Sequence, residues 1–378
     1  MKKLLDGQVV EWKSLGEVIR LEKGKQLNKE QLLEDGFYPA YNGGISFSGF
    51  TDSYNYNENT IIISQGGASA GFVNFVTTKF YANAHCYVVL PKLEIVINRY
   101  VYHFLKLNQE SLTNKQHGAG IPALRTVEIL DIPIPIPPIH VQSEIVRVLD
   151  NFTELTAELT AELTARKKQY TFYRDKLLTF EDGEVEWKSL GEVTEFTNGK
   201  GHENDIEDDG KYIVVNSKFI STNGTVAKYS NEQICPLFCN DILIVMSDLP
   251  NGKALAKTFF VEENDKYTLN QRIGGIRVKD SNQLFPKFLN YILNRTPQLL
   301  KFDDGASQTN LRKDQIRGVK IPIPPLAEQE RIVAILDKFD ALTTSLTSGL
   351  PREIELRQKQ YAYYRDLLLS FPKVESEA

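Results

Sequence analysis

Three short constellations in this chain hold residue types that could make or break bonds. Gly67-Ala68-Ser69-Ala70-Gly71 follows a strand-like run and spells G-x-S-x-G, the turn that lifts a serine nucleophile in α/β hydrolases. That chemistry needs a helix directly after the serine. The chain continues Phe72-Val73-Asn74-Phe75-Val76-Thr77, so a glycine-rich hairpin is expected and Ser69 is not a nucleophile. Glu11-Trp12-Lys13 and Glu186-Trp187-Lys188 carry the acid-x-lysine ending of a metal-dependent nuclease site, the carboxylate holding Mg²⁺ and the lysine steadying a water. Such a site needs a further acid, and a tripeptide repeated with identical flanks reads as framework. Cys235 and Cys239 form a C-x₃-C pair without a second half, and the five histidines are scattered, so no zinc site is expected. The chain has no Walker-type phosphate loop and no N-P-P-Y or D-P-P-Y tetrapeptide for adenine methylation. It does not read as a self-sufficient enzyme.

The elements that carry these residues come in two copies. Glu11 to Val18, EWKSLGEV, returns unchanged as Glu186 to Val193. Ile134 to Thr156, IPIPPIHVQSEIVRVLDNFTELT, returns as Ile321 to Thr343, and Arg166 to Phe180, RKKQYTFYRDKLLTF, returns as Arg357 to Phe371. The register shifts are 175, 187 and 191 residues, so the frame is kept while its contents change length. Residues 19 to 130 and 194 to 317 show almost no mutual similarity: one scaffold presents two unlike surfaces. Short strands are expected at Thr60 to Ser64, Cys86 to Leu90, Tyr212 to Asn216, Asp241 to Ser247 and Arg272 to Val278. Alternate prolines in Ile132 to Ile139 and Ile321 to Leu326 hold each exit extended before an amphipathic helix begins.

After Ile139, apolar residues at Ile145, Leu149, Phe152, Leu155, Leu159, Leu163, Tyr170, Tyr173 and Leu177 form one helical stripe. The second copy repeats the stripe, but Gly349 and Pro351 predict a break there. A lone helix with such a stripe is unstable in water, so the two repeats should pack on each other as a coiled-coil pair. Within the first, Thr156-Ala157-Glu158-Leu159 and Thr160-Ala161-Glu162-Leu163 are both TAEL. A unit slightly over one turn long is easy to add or remove without losing helicity, so this segment is expected to set length.

Composition limits the reading further. At 378 residues the chain suits two domains, and its apolar runs are far too short to span a membrane. Three cysteines that cannot pair into a framework, and no apolar stretch after the first lysines long enough for a signal peptide, lead to the expectation of a cytoplasmic protein. The net charge of -5 speaks against a nucleic-acid binder, yet the average conceals a division. Residues 12 to 140 carry 11 basic and 11 acidic groups, and residues 187 to 326 carry 18 and 17. The excess acid lies in the connectors, 6 basic against 10 acidic over 141 to 186 and 7 against 9 over 327 to 378. Acidic helices suit protein partners better than DNA.

Together, the twofold plan, the IPIPP exits followed by VQSEIVRVLD and EQERIVAILD, the KQYTFYRDKLL and KQYAYYRDLLL helix ends, and the TAEL tandem resemble the specificity subunits of type I restriction-modification systems. The resemblance spans nearly the whole chain. It implies an α+β protein with two target recognition domains of short strands and mixed content, 1–139 and 181–326, separated by an antiparallel coiled-coil pair, 140–180 and 327–378. Each domain would read one half of a split, asymmetric site on double-stranded DNA. Two methyltransferase subunits and two restriction-translocation subunits would assemble around the chain, and no membrane is involved. S-adenosylmethionine, ATP and Mg²⁺ would belong to those partners, with no cofactor or catalytic residue on this chain. Two rival classes are a self-contained DNA-cleaving or DNA-modifying enzyme and a coiled-coil assembly protein with no DNA role.

Base reading needs hydrogen-bonding side chains on loops that a rigid scaffold positions. In the first half the candidates are Tyr41, Asn42 and Gly43, then Ser64, Gln65 and Ser69, then Lys115, Gln116 and His117 with Arg125. In the second they are Asn216, Ser217 and Lys218, and Ser247, Asp248, Asn251, Lys253 and Lys257, where an Asn-Gly turn would offer Asn251 and both lysines together. Asn270, Gln271 and Arg272 follow, then Gln308, Asn310, Arg312 and Lys313. The TAEL residues are the expected spacer.

Overall fold

The computed structural model describes residues 10–115, 117, 122–181, 183–202, 205–250, 252–345 and 348–372. The chain divides into two compact units, Met1–Glu162 with Pro351–Ala378, and Leu163–Leu350. Each combines a globular half of strands and short helices with a pair of long helices, an α+β architecture.

The run Thr60–Ser64 is β-branched and buried along its whole length, which suits an interior strand. It lies third in an antiparallel sheet ordered Ile19–Lys23, Cys86–Pro91, Thr60–Ser64, Val73–Val76. The second unit repeats this order with Thr194–Asn198, Ile273–Val278, Ile242–Val245 and Thr258–Phe260. Each unit adds a three-stranded sheet, Gly49–Thr51, Tyr38–Tyr41, Tyr81–Ala82 in the first and Tyr229–Ser230, Tyr212–Val215, Tyr267–Leu269 in the second. In both, the last two strands run parallel. Two sequences with little in common thus share a topology, because the buried positions require only apolar and β-branched character. The strand expected to reach Asn216 stops at Val215, since the Asn216 side chain caps the helix that follows.

The repeated blocks meet in space. Glu11–Ser14 pairs antiparallel with Pro133–Ile136, placing Trp12 opposite Pro135, and Glu186–Ser189 pairs with Lys320–Ile323, placing Trp187 opposite Pro322. A two-stranded ribbon tolerates the prolines because each strand is paired on one side only. Glu11 and Lys13 form an ion pair on this ribbon, as do Glu186 and Lys188, which makes the acid-x-lysine tripeptides part of the clasp that closes each domain.

The chain then enters Ile139–Leu178, a continuous helix of 40 residues. At 1.5 Å per residue it is about 60 Å long. Its first turns belong to the first unit's core through Val141, Ile145 and Leu149. Gln142 anchors them: wholly buried, its Oε1 accepts from Ile97 N at 2.9 Å while Nε2 donates to Ile95 O at 3.1 Å and Pro137 O at 2.8 Å. Gln329 makes the same three bonds in the second unit, to Phe285 N, Gln283 O and Pro324 O.

Phe152 of the long helix stacks on Tyr364 in the first unit, and Tyr173 stacks on Phe339 in the second. Each stack lies within one unit, so the long helix has a partner helix in both. Those partners are two helices, Leu326–Thr343 and Gly349–Leu369. The break expected at Gly349 and Pro351 falls just before them: the first helix ends at Thr343 and the second begins at Gly349. Gly349 holds φ at +79°, and a Cβ there would come within 2.4 Å of Ala341 O, so glycine is required. Pro351 occupies the first turn of the new helix, where no intrahelical donor is needed. Among the described residues no helix is long and apolar enough to cross a membrane.

Candidate nucleic-acid interface

Both units build one loop platform at corresponding positions. Gly24 N donates to Cys86 O at 2.9 Å and Lys25 N to Ala82 O at 3.0 Å. At the 175-residue shift, Gly199 N donates to Ile273 O and Lys200 N to Leu269 O, each at 3.1 Å. A Cβ on Gly24 would lie 2.2 Å from Asn83 O, and one on Gly199 would lie 1.9 Å from Asn270 O. Glycine is needed at both for the backbones to approach.

In the first unit these contacts gather Tyr41–Gly44, Ser64–Gly67, Asn83–His85 and Pro122–Arg125. Gln65 N donates to His85 O at 2.8 Å, Leu124 N to Gln65 O at 2.8 Å, and Gly67 N to Pro122 O at 2.8 Å. Asn42 is exposed and Tyr41 half-buried, whereas Gly43 is packed close to His85. Ser64 is buried, and its hydroxyl donates to Gly44 O at 2.9 Å, so it supports the loop. Gly67–Gly71 forms the turn between Thr60–Ser64 and Val73–Val76, with Ser69 half-buried on it and no helix following. Lys115 is exposed. Arg125 is engaged: its guanidinium bonds Glu128 Oε1 at 2.9 Å, and His117 contacts the same carboxylate. Burial alone would raise the Glu128 pKa, but bonds from Arg125 and His117 reverse this and bring it to about 2. Gln116 lies outside the described residues.

The second unit gathers Val215–Lys218, Met246–Asp248, Asn270–Arg272 and Gln308–Lys313. Asn270 N donates to Val215 O at 3.2 Å, Met246 N to Arg272 O at 3.0 Å and Leu311 N to Met246 O at 2.7 Å, while Ser247 and Asp248 pair with Asn310 and Thr309. Lys218, Gln271, Arg272, Gln308, Asn310, Arg312 and Lys313 are exposed, and Ser217 is half-buried. Gln308 Nε2 donates to the buried Ser247 hydroxyl at 2.8 Å. Arg312 lies 3.6 Å from Asp314, and the Lys313 ammonium sits over the Phe196 ring. Asp248 folds its own loop, accepting from Leu249, Ala254 and Leu255 N. Of the expected grouping of Asn251, Lys253 and Lys257, the two lysines fall among the described residues. Asn251 lies outside them, Lys253 is exposed, and Lys257 turns back to Ser221 O and Asn223 Oδ1, at 3.2 and 2.7 Å. Burial, then the charge of Arg295, lowers the Lys257 pKa.

The TAEL residues Thr156 to Leu163 lie within the long helix, with Leu159 and Leu163 half-buried and Ala157, Glu158, Ala161 and Glu162 exposed. Thr156 and Thr160 return their hydroxyls to Phe152 O and Thr156 O, each at 2.7 Å, and so stay compatible with the helix.

The platforms also contain residues the loop chemistry did not single out. His85 and Lys25 in the first unit and Lys200 in the second are exposed. The signal was available: Asn270 to Arg272, moved back by the 187-residue shift, lands on Asn83 to His85, and Gly24-Lys25 recurs as Gly199-Lys200 at the 175-residue shift. Ile45 and Phe47, 62% and 45% exposed, extend the loop after Gly44 and offer apolar surface of the kind that contacts thymine methyl groups. Among the described residues no group of three or more His, Cys, Asp or Glu could hold a metal ion.

Comparison with known proteins agrees with this duplicated geometry. The family model described as the type I restriction modification DNA specificity domain matches residues 9–166 and again 183–356. The specificity subunit of the type I restriction enzyme EcoR124I/EcoR124II of Escherichia coli is 37% identical over 404 residues, covering 100% of this chain and 98% of that one. The crystal structure of a type I restriction-modification S subunit from M. genitalium shares the fold at a TM-score of 0.64 and 20% identity, covering 98% of both chains. A chain from a structure of type I system assembly and conformational transition matches at a TM-score of 0.58 and 16% identity, covering 96% of this chain and 98% of that one. The family's function is DNA sequence specificity, and its members are non-catalytic. This chain belongs to the type I restriction-modification DNA specificity subunits.

Proposed function

We propose that this chain selects a bipartite, asymmetric DNA sequence for a type I restriction-modification complex, one recognition domain reading each half. Residues 1–139 and 181–326 are the readers, and 140–180 with 327–378 are the connectors that set the spacing and dock the partners. The observation that carries this is the pair of loop platforms: the same backbone bonds at corresponding positions present Asn42 and His85 in one unit and Lys218 and Arg272 in the other. A shared frame with different exposed donors suits two different base sequences. The acidic connectors suit two methyltransferase and two restriction-translocation subunits, which would hold S-adenosylmethionine, ATP and Mg²⁺, and the complex would act in the cytoplasm. Methylation-sensitive sequencing of the host genome, with the gene present and then removed, tests the reading. One bipartite motif should lose its methylation, and an unchanged methylation map would refute it.

A further inference from the structure

We propose that one backbone slot presents the base-reading side chain in both domains, filled by His85 in the first and Arg272 in the second, and that Arg272 reads a guanine. This rests on the DNA-reading role proposed above and names the reader and its base.

The slot is defined by bonds present twice. The carbonyl of His85 accepts from Gln65 N at 2.8 Å, and that of Arg272 accepts from Met246 N at 3.0 Å. Two residues earlier, the Asn83 and Asn270 carbonyls lie against Gly24 and Gly199. The two positions are 187 residues apart, the register of the proline-rich exits. Both side chains are exposed, and neither has a hydrogen-bond or ion-pair partner among the described residues. In the same unit Arg277 bonds Asp241, Arg295 bonds Lys253 O, and Arg312 lies beside Asp314. Arg272 is held differently: its φ is +67°, in the left-handed region that glycine adopts freely and arginine seldom does. The conformation is held by Met246 N on its carbonyl and by Gln271 N on Lys200 O at 2.9 Å. A turn suited to glycine carries instead a long side chain with an unused five-donor fork. Such strain, maintained by the surrounding bonds, belongs with a functional demand on the side chain.

The guanidinium fork matches guanine O6 and N7 in the major groove. An imidazole N–H suits a single acceptor such as a purine N7.

The test uses the full chain assembled with its methyltransferase subunits and duplexes of the mapped site carrying 7-deazaguanine at each guanine in turn. For the wild type, one guanine in the second domain's half-site should cost about 5- to 150-fold in affinity when N7 is removed. Arg272→Gly should lose a similar factor on the unmodified duplex and nothing further on that modified one. It should also unfold at the same temperature or higher, because glycine relieves the left-handed backbone. His85→Ala should change recognition in the other half-site alone. An Arg272→Gly complex that keeps its sensitivity to every modified guanine overturns the inference, as does one that loses affinity equally on DNA lacking the site. A wild-type complex with no sequence preference overturns the underlying reading instead.

Discussion

A single buried histidine makes the first unit sensitive to mild acid. His103 is wholly buried, its Nε2 2.8 Å from Asp150 Oδ1 and its Nδ1 3.0 Å from the Tyr361 hydroxyl. Burial lowers its pKa by more than the hydrogen bond to Asp150 raises it. The folded ring is therefore neutral, donating from Nε2 to Asp150 and accepting from Tyr361 at Nδ1. Burial alone would raise the Asp150 pKa, but bonds from His103 and Arg99 hold it below the usual carboxylate range. Unfolded histidine takes up a proton near pH 6.5, whereas the folded ring does so only at lower pH. Stability is therefore present above about pH 6.5 and is lost as pH falls through that value toward the folded pKa. The contribution of Asp150 is lost only in a lower window, below the ordinary aspartate value. Urea unfolding across a pH series should show a decline beginning near pH 6.5, and His103→Gln should flatten it. An identical decline in that variant would assign the sensitivity elsewhere.

At the scale of elements, the joint between globular half and helix rests on one glutamine in each unit. Leucine in place of Gln142 keeps the volume but leaves Ile97 N, Ile95 O and Pro137 O without their partner. Each orphaned buried group costs about 1 to 3 kcal/mol, so the substitution should destabilise by roughly 3 kcal/mol or more. Chemical denaturation measures it, and a loss under about 1 kcal/mol would show that the turn before Asn98 rearranges to satisfy itself. The apolar stripe and the repeated VQSEIV and EQERIV blocks made both helices legible in sequence, but the role of the glutamine in each block was not. The partner itself was not legible, because Ile95 and Ile97 lie more than 40 residues upstream and only the docked helix brings them within reach.

For the whole molecule the spacer gives the sharpest expectation. The TAEL tandem lies in one uninterrupted helix, so adding or removing four residues should change its length by about 6 Å without breaking it. A base pair adds about 3.4 Å, so a helical tilt must absorb the difference. Inserting or deleting one TAEL should change the gap between half-sites by about one base pair and leave both half-sites as they were. Methylation mapping of the variant checks this, and altered half-sites at the old spacing would refute a ruler.

From sequence alone came the doubling, the expectation of short strands, the long helices and the separation of specificity from bond-making. Repeats and periodicities are written along the chain, and a missing motif needs no geometry to be noticed. Which loop side chains remain free was decided only by tertiary contacts. Lys257 looked available until Ser221 and Asn223, more than 30 residues away, were brought to its ammonium, and Ser64 until the Gly44 carbonyl met its hydroxyl. Availability depends on what long-range strand pairing places within about 3 Å, a distance that neither composition nor spacing encodes.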